Sequence, residues 1–384
     1  MKEEVHSMKR LFAFTLIVVL FATMCCVRAS AEGAPDVSCP SAILMDQTTG
    51  TILFEKNADE KRAPASVTKV MTLLLIMEAV ESGKLEWDSP IAVSPEAAGM
   101  GGSQVYLKEG ETMTADEMVK CIAVVSANDC CVAMAEAISG SVTSFISKMN
   151  QRAKELGMKN THFNSCTGLD TDDHYTTAHD IAIMSRELMK HEKIKEYSTI
   201  WMDTVRDGAF TLSNTNKLIR FYDGATGLKT GFTDDAGYCL SATASRESLS
   251  LIAVVLGGET SDQRFADAKS LLNFGFTQFT IYQETPASIQ PIKVIKGLDD
   301  FIQPKLAKSP AFLVQKGTEK SIKYKVELSE SVMAPVDQGQ KLGTVTYTCD
   351  GKIIGDIRLI AEKEIPKVTF GHLFFHIIEY FFTV

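Results

Sequence analysis

The chain has 384 residues, 45% of them hydrophobic and 23% charged, an ordinary globular composition with room for two or three domains. A net charge of −9 excludes a surface built to hold a polyanion, so no nucleic acid partner is expected.

In chain order, Lys9-Arg10 precedes an apolar run from Leu11 to Cys26, and Ala29-Ser30-Ala31 follows as a small-x-small site. This pattern predicts a signal peptide over 1–31; the alternative, a retained anchor, fits less well because the apolar run is short and the cleavage site follows at once. Cys25 and Cys26 fall within it. The other seven cysteines, Cys39, Cys121, Cys130, Cys131, Cys166, Cys239 and Cys349, are odd in number, scattered and without a C-x-x-C pair. They read as small buried side chains, not as a disulfide framework or a zinc site.

Ser41–Asp46 and Thr51–Glu55 are β-like runs joined by a Gln47-Thr-Thr-Gly50 turn. An apolar helical run from Val70 to Ala79 follows, with Pro64 just ahead of it. From Thr114 to Leu156 the pattern is helical, with Ser126-Ala127-Asn128 in a turn between the runs Met118–Val125 and Cys130–Ile138. Asp180–Met189 is a further helix. The stretch Gly237–Leu256 reads as strands that Lys229-Thr230-Gly231 opens, and Phe265–Phe274 as a helix. Pro286, Pro291, Gly297 and Pro304 then mark a change of composition. The runs Ala311–Val314, Ser321–Leu328, Gly343–Tyr347 and Ile353–Ala361 after them are strand-like, with a hairpin turn at Thr348–Gly351. A small all-β domain over 289–366 is expected, behind a larger domain over 35–280. In a helix spanning 368–384, His372, His376 and Glu379 form one polar stripe on an aromatic and aliphatic surface. The segment is shorter than the roughly 20 residues that span a bilayer, so it reads as a helix lying in the membrane interface.

Three polar clusters stand out: Ser66-Val67-Thr68-Lys69, Ser126-Ala127-Asn128 and Lys229-Thr230-Gly231. Taken singly, S-x-x-K is a common helix start, S-x-N a common turn and K-T-G a common strand end; S-x-x-K and K-T-G each occur once here. Together they supply a serine nucleophile and its activators. A serine hydroxyl attacks a carbonyl only after something takes its proton. Lys69, three residues on and on the same helix face, serves as that base if its pKa is depressed, by burial or by a nearby cation such as Lys229. Ser126 can relay a proton to a departing amine, and Asn128 can hold a substrate amide. Lys229 and Thr230 suit a substrate carboxylate, and the strand carrying them can align an extended peptide.

These motifs, in this order, are those of penicillin-binding proteins and class A β-lactamases. From Ser41 to Phe279 the chain resembles the low-molecular-mass penicillin-binding proteins that are D-alanyl-D-alanine carboxypeptidases. The resemblance rests on Pro64–Thr72, Ser126-Ala-Asn-Asp129, Gly168-Leu-Asp170, His174–Asp180, Thr215-Asn216 and Thr226–Thr233 with Ala236-Gly-Tyr238. Ala334–Gly343 looks like that family's C-terminal β domain. The resemblance implies an α+β fold: a β-lactamase/DD-peptidase-like catalytic domain with an antiparallel sheet flanked by helices and a helical subdomain, then a small all-β domain and an amphipathic helix.

It also implies a serine peptidase that removes the terminal D-alanine of a peptidoglycan stem pentapeptide, exported across the cytoplasmic membrane, held at its outer face and inhibited covalently by β-lactams. Ser66 is then the acylated residue, Lys69 its base and Ser126 the third catalytic residue. Asn128, Lys229, Thr230, Gly231, Phe232 and Arg264 are substrate-binding, with the N–H groups of Ser66 and Phe232 as the oxyanion hole and Arg264 on the terminal carboxylate. No metal and no cofactor are implied. Phe232 departs from members with His after K-T-G. Two other readings remain, a β-lactamase and a silent wall-peptide-binding protein. The first lacks the Glu-x-x-Leu-Asn segment that class A enzymes carry, and the intact motifs argue against the second.

Overall fold

The computed structural model describes residues 33–372 and 374. The expected signal peptide lies outside them, as does most of the expected terminal helix, of which 370–372 and 374 have helical backbone. Residues 33–36 carry neither helix nor strand.

Five strands make the central antiparallel sheet: β1 (Ser41–Asp46), β2 (Ile52–Lys56), β3 (Ala225–Thr233), β4 (Gly237–Arg246) and β5 (Leu249–Gly258), in the spatial order β2-β1-β5-β4-β3. Side chains alternate across a strand, and this sheet uses both faces. Ile43, Met45, Ile252, Val254 and Leu256 enter one core, while Ala42, Leu44, Leu251, Ala253 and Val255 enter another. This is why β1 and most of β5 read as unbroken apolar runs.

The first core is shared with helices α1 (Lys69–Glu81), α2 (Ala115–Val125), α3 (Asn128–Ser139) and α4 (Ala178–Leu188). The second is covered by α5 (Ser261–Gln278) through Phe265, Ala268, Leu271, Leu272 and Phe276. α1 buries Val70, Met71, Leu73, Leu74, Leu75, Ile76 and Met77, and so runs through the core rather than over the surface. α2 starts on a capping box, Thr114 accepting from the Glu117 N–H while the Glu117 side chain accepts from the Thr114 N–H.

Two expectations need correction. Lys229-Thr230-Gly231 does not open the Gly237–Leu256 strands. It lies inside a nine-residue strand of its own, β3, at the edge of the sheet. Gly224, Gly227 and Gly231 dilute the β signal there. The helix after Pro64 does not begin cleanly at Val70 either; a 3-10 turn, Ala65–Thr68, holds Ser66 and runs directly into α1 at Lys69.

Between α5 and residue 369 the regular elements are strands and one 3-10 turn, Glu319–Ser321. The four expected strands form as Phe312–Gln315, Ile322–Leu328, Lys341–Cys349 and Lys352–Ala361, and the last two pair through a turn with Asp350 and Gly351 at φ 47° and 78°. The short strands Phe279–Tyr282, Ile292–Ile295, Phe301–Ile302, Pro304–Leu306 and Ser331–Met333 were not expected. Two apolar clusters hold this part together, one around Ile292, Ile302 and Val336, the other around Val345, Tyr347 and Leu359. Of the seven described cysteines six are buried, and Cys349 is half-buried.

Candidate active site

The three clusters converge. Ser66 sits on the 3-10 turn that packs against β3. Ala65, just before it, takes a left-handed φ of 48°. A side chain costs energy in that region, so neighbours must hold the turn. They do so on two sides. A Cβ on Gly231 of β3 would sit 2.9 Å from Pro64 O and 3.0 Å from Ser66 N, so only a glycine lets the strand press this close to the Ser66 backbone. A Cβ on Gly168, itself at φ 82°, would sit 1.9 Å from Ala65 O. From below, Asn164 N donates to His174 Nδ1 at 2.9 Å. That leaves His174 Nε2–H to donate to Thr68 Oγ1 at 2.8 Å, and Thr68 Oγ1 donates in turn to Ala65 O at 2.8 Å. Burial pushes the His174 pKa down to about 4, so the imidazole is neutral and this tautomer is the one present.

Lys69 is fully buried, and its Nζ lies 2.8 Å from Ser66 Oγ and 2.7 Å from Thr167 O. Burial pushes its pKa below the ordinary lysine value, opposed by Cys131, Cys166 and Asp129. Cys131 and Cys166 are themselves pushed up by burial, to about 11 and about 12. Both are therefore neutral thiols at pH 7 and do not hold a proton on Lys69. The expected cation plays a different part. Burial pushes Lys229 well below its ordinary value too, and repulsion from Lys69 and then Arg264 adds to it. Burial depresses both amines, and a proton on either disfavours a proton on the other. Two close amines share this penalty, and loss of one proton relieves the other.

Ser126 ends α2 in the left-handed region, φ 65° and ψ 33°, which turns its hydroxyl inward. Ser126 Oγ and Asn128 Oδ1 are buried and, among the described residues, have no hydrogen-bond partner. Buried polar atoms are otherwise nearly always paired, so two orphans in one cleft mark groups that await a ligand. Asn128 Nδ2 is held by Gly101 O at 2.7 Å and Asn128 N by Ser103 O at 2.7 Å. Asp129 accepts from Val105 N, Leu107 N and Cys130 N. Together these residues clamp the 101–107 segment over the site. Beside it a hollow of about 640 Å³ is lined by Tyr106, Arg206 and Phe210 among others.

On β3, Lys229 is buried with its Nζ 3.0 Å from Thr230 O, and Thr230 Oγ1 lies 2.6 Å from Thr215 Oγ1. Phe232 stacks on Tyr238 with ring centroids 4.4 Å apart. Arg264 projects from α5 behind the strand. Its Nη1 donates to Gly231 O at 2.8 Å and Cys239 O at 3.3 Å, while Nη2 makes a long 3.5 Å contact to Ser261 Oγ. The guanidinium thus fixes the strand and places positive charge beneath Gly231.

All the expected site residues therefore lie in one cleft or support its walls. Thr167, Gly168, His174, Asp129 and Thr215 were not foreseen as functional. Asp129, Gly168, His174 and Thr215 lie within the resembling segments, which was the available signal; for the Thr167 carbonyl there was none.

A family model described as D-alanyl-D-alanine carboxypeptidase matches residues 28–260, and one described as penicillin-binding protein 5, C-terminal domain, matches 276–367. The D-alanyl-D-alanine carboxypeptidase DacF of Bacillus subtilis is 40% identical over 374 residues, covering 94% of this chain and 96% of the relative. The crystal structure of penicillin binding protein 5 from Haemophilus influenzae superposes with a TM-score of 0.75 at 29% identity, over 87% of this chain and 99% of that one. Penicillin-binding protein D2 from Listeria monocytogenes, in an ampicillin-bound form, gives a TM-score of 0.58 at 33% identity, over 62% of this chain and 98% of that one. The chain belongs to the peptidase family of D-alanyl-D-alanine carboxypeptidases, serine hydrolases of the penicillin-binding protein fold.

Proposed function

We propose that this carboxypeptidase works through an acyl-enzyme on Ser66, acts on peptidoglycan stem pentapeptides outside the cytoplasmic membrane, and is inhibited covalently by β-lactams. The observation that carries the mechanism is the contact of a fully buried Lys69 Nζ with Ser66 Oγ at 2.8 Å.

Neutral Lys69 takes the Ser66 proton as Oγ attacks the carbonyl of the penultimate D-alanine. The N–H groups of Ser66 and Phe232 stabilise the oxyanion. The proton passes by way of Ser126 Oγ to the departing amine, the C–N bond breaks and D-alanine leaves. Water then attacks the ester, Lys69 again taking a proton, and frees Ser66. The open edge of β3 lets the stem peptide add as an extended strand, with Asn128 on its backbone amide. Lys229 and Thr230 are the partners of the terminal carboxylate, and the buried Arg264 guanidinium adds positive charge from behind β3. Support for the β-lactam reading comes from the ampicillin-bound Listeria relative. For export, the support is the Leu11–Cys26 run with its Ala29-Ser30-Ala31 site; for a hold on the membrane surface, it is the Phe-rich sequence 370–384.

The test is release of free D-alanine from a stem pentapeptide. Release that stops with penicillin, and in Ser66→Ala, supports the proposal. Release insensitive to penicillin would refute the inhibitor reading, and rapid repeated hydrolysis of penicillin would favour a β-lactamase.

A further inference from the structure

The segment Asn214–Asn216 crosses the cleft between its two walls. Asn214 N donates to Trp201 O at 2.9 Å and Asn214 Nδ2 to Ile200 O at 2.7 Å. Asn214 Oδ1 accepts from Asn216 N at 2.8 Å, Asn216 Nδ2 donates to Gly227 O at 2.8 Å, and Asn216 Oδ1 accepts from Leu218 N at 3.1 Å. Both asparagine side chains are buried and spend their polar groups on backbone. Between them, Thr215 N donates to Val124 O at 3.1 Å, two residues before Ser126, while its side chain faces the open cleft. There Thr215 Oγ1 lies 2.6 Å from Thr230 Oγ1. One residue thus ties the end of α2 by its backbone and the β3 threonine by its hydroxyl.

We propose that Thr215 is a positioning residue for the substrate's terminal carboxylate, acting through Thr230. A hydroxyl has one proton to give and two lone pairs to receive with. When Thr230 donates its proton to a carboxylate oxygen, its own oxygen is open to the Thr215 proton. The chain Thr215 O–H to Thr230 O–H to carboxylate then runs in one direction, and each bond polarises the next. Without the Thr215 hydroxyl, the Thr230 rotor is free to point its proton elsewhere. Because Thr215 is locked by Val124 and two buried asparagines, it sets that rotor before substrate arrives. This inference rests on the reading of Thr230 as a carboxylate partner and adds the residue that orients it.

The experiment compares two substrates on the full chain: an N-acylated tripeptide ending in D-Ala-D-Ala, and the matching N-acylated dipeptide D-Ala methyl ester, whose leaving group carries no carboxylate. Thr215→Val should lower kcat/KM for the peptide roughly three- to tenfold, chiefly through KM, and leave the ester within about twofold. Thr215→Ser should restore the peptide rate. Thr215→Ala serves as a second hydroxyl-free variant should the valine not fold. Equal losses on both substrates, or no loss on either, would overturn the proposal, since a merely structural role cannot distinguish them. Thr230→Val separates the two levels. If it shifts the peptide-to-ester ratio and Thr215→Val does not, the coupling alone is wrong. If Thr230→Val leaves the ratio unchanged, the carboxylate reading beneath it fails as well.

Discussion

Gly168→Ala is the substitution for which the structure gives the sharpest magnitude. Its Cβ would lie 1.9 Å from Ala65 O, 2.5 Å from Ala65 C and 2.7 Å from Thr68 Oγ1. The first two are backbone atoms, so no side chain can swing away to make room. Restoring ordinary contact moves the Ala65–Ser66 backbone by about 1 Å, and a misplacement of that size costs about 10²-fold in rate. The positive φ of 82° adds roughly 1–2 kcal/mol of strain for any side chain. Gly140→Ala is the control: its φ is 76°, but nothing lies within 4 Å of the added Cβ, so it carries the strain without the clash. The assay is D-alanine release, with thermal unfolding measured alongside. Gly140→Ala should lose stability and keep its rate, while Gly168→Ala should lose both, by about 10²-fold in kcat/KM. A folded Gly168→Ala enzyme working within a few-fold of wild type would refute the claim that this glycine sets the position of Ser66.

Other outcomes follow from the charges. The buried Lys69–Lys229 pair loses both its protons below the ordinary lysine value, so activity should rise with pH through the pair's first proton loss and fall through its second; Lys229→Arg should flatten the alkaline limb in a pH–rate profile of kcat/KM. His174 is held neutral in the fold down to about 4 but takes a proton at about 6.5 when unfolded. Its stabilising contribution is thus complete above 6.5 and lost as pH falls toward 4, up to about 3 kcal/mol, and thermal melts of His174→Gln should lack that part of the acid loss. Asp129→Ala leaves the Val105, Leu107 and Cys130 N–H groups without their acceptor and should cost roughly 3 kcal/mol or more, with faster amide exchange confined first to 101–107.

Much of this was legible from local chemistry. The continuous apolar runs of β1 and β5 and the heavily apolar α1 announced themselves, because burial on both sides leaves little room for polar residues. β3 was hidden because its glycines, Gly227 and Gly231, are poor strand formers, the second needed for close approach to Ser66. The short strands of the C-terminal domain gave little signal because two to four residues carry no period. Within the site, side-chain identities named Ser66, Lys69, Ser126 and Lys229, yet nothing in their spacing showed that burial depresses Lys69. That fact arises from helices distant in sequence closing around it. The carbonyl of Thr167 and the Thr215–Thr230 contact are backbone and tertiary features with no motif of their own.

The most direct test of the central claim is the mass of the intact enzyme after brief exposure to penicillin, followed by peptide mapping. The account predicts one adduct, on the peptide carrying Ser66, and none in Ser66→Ala. An adduct of undiminished yield in that variant, or one mapped to Ser126, would contradict it.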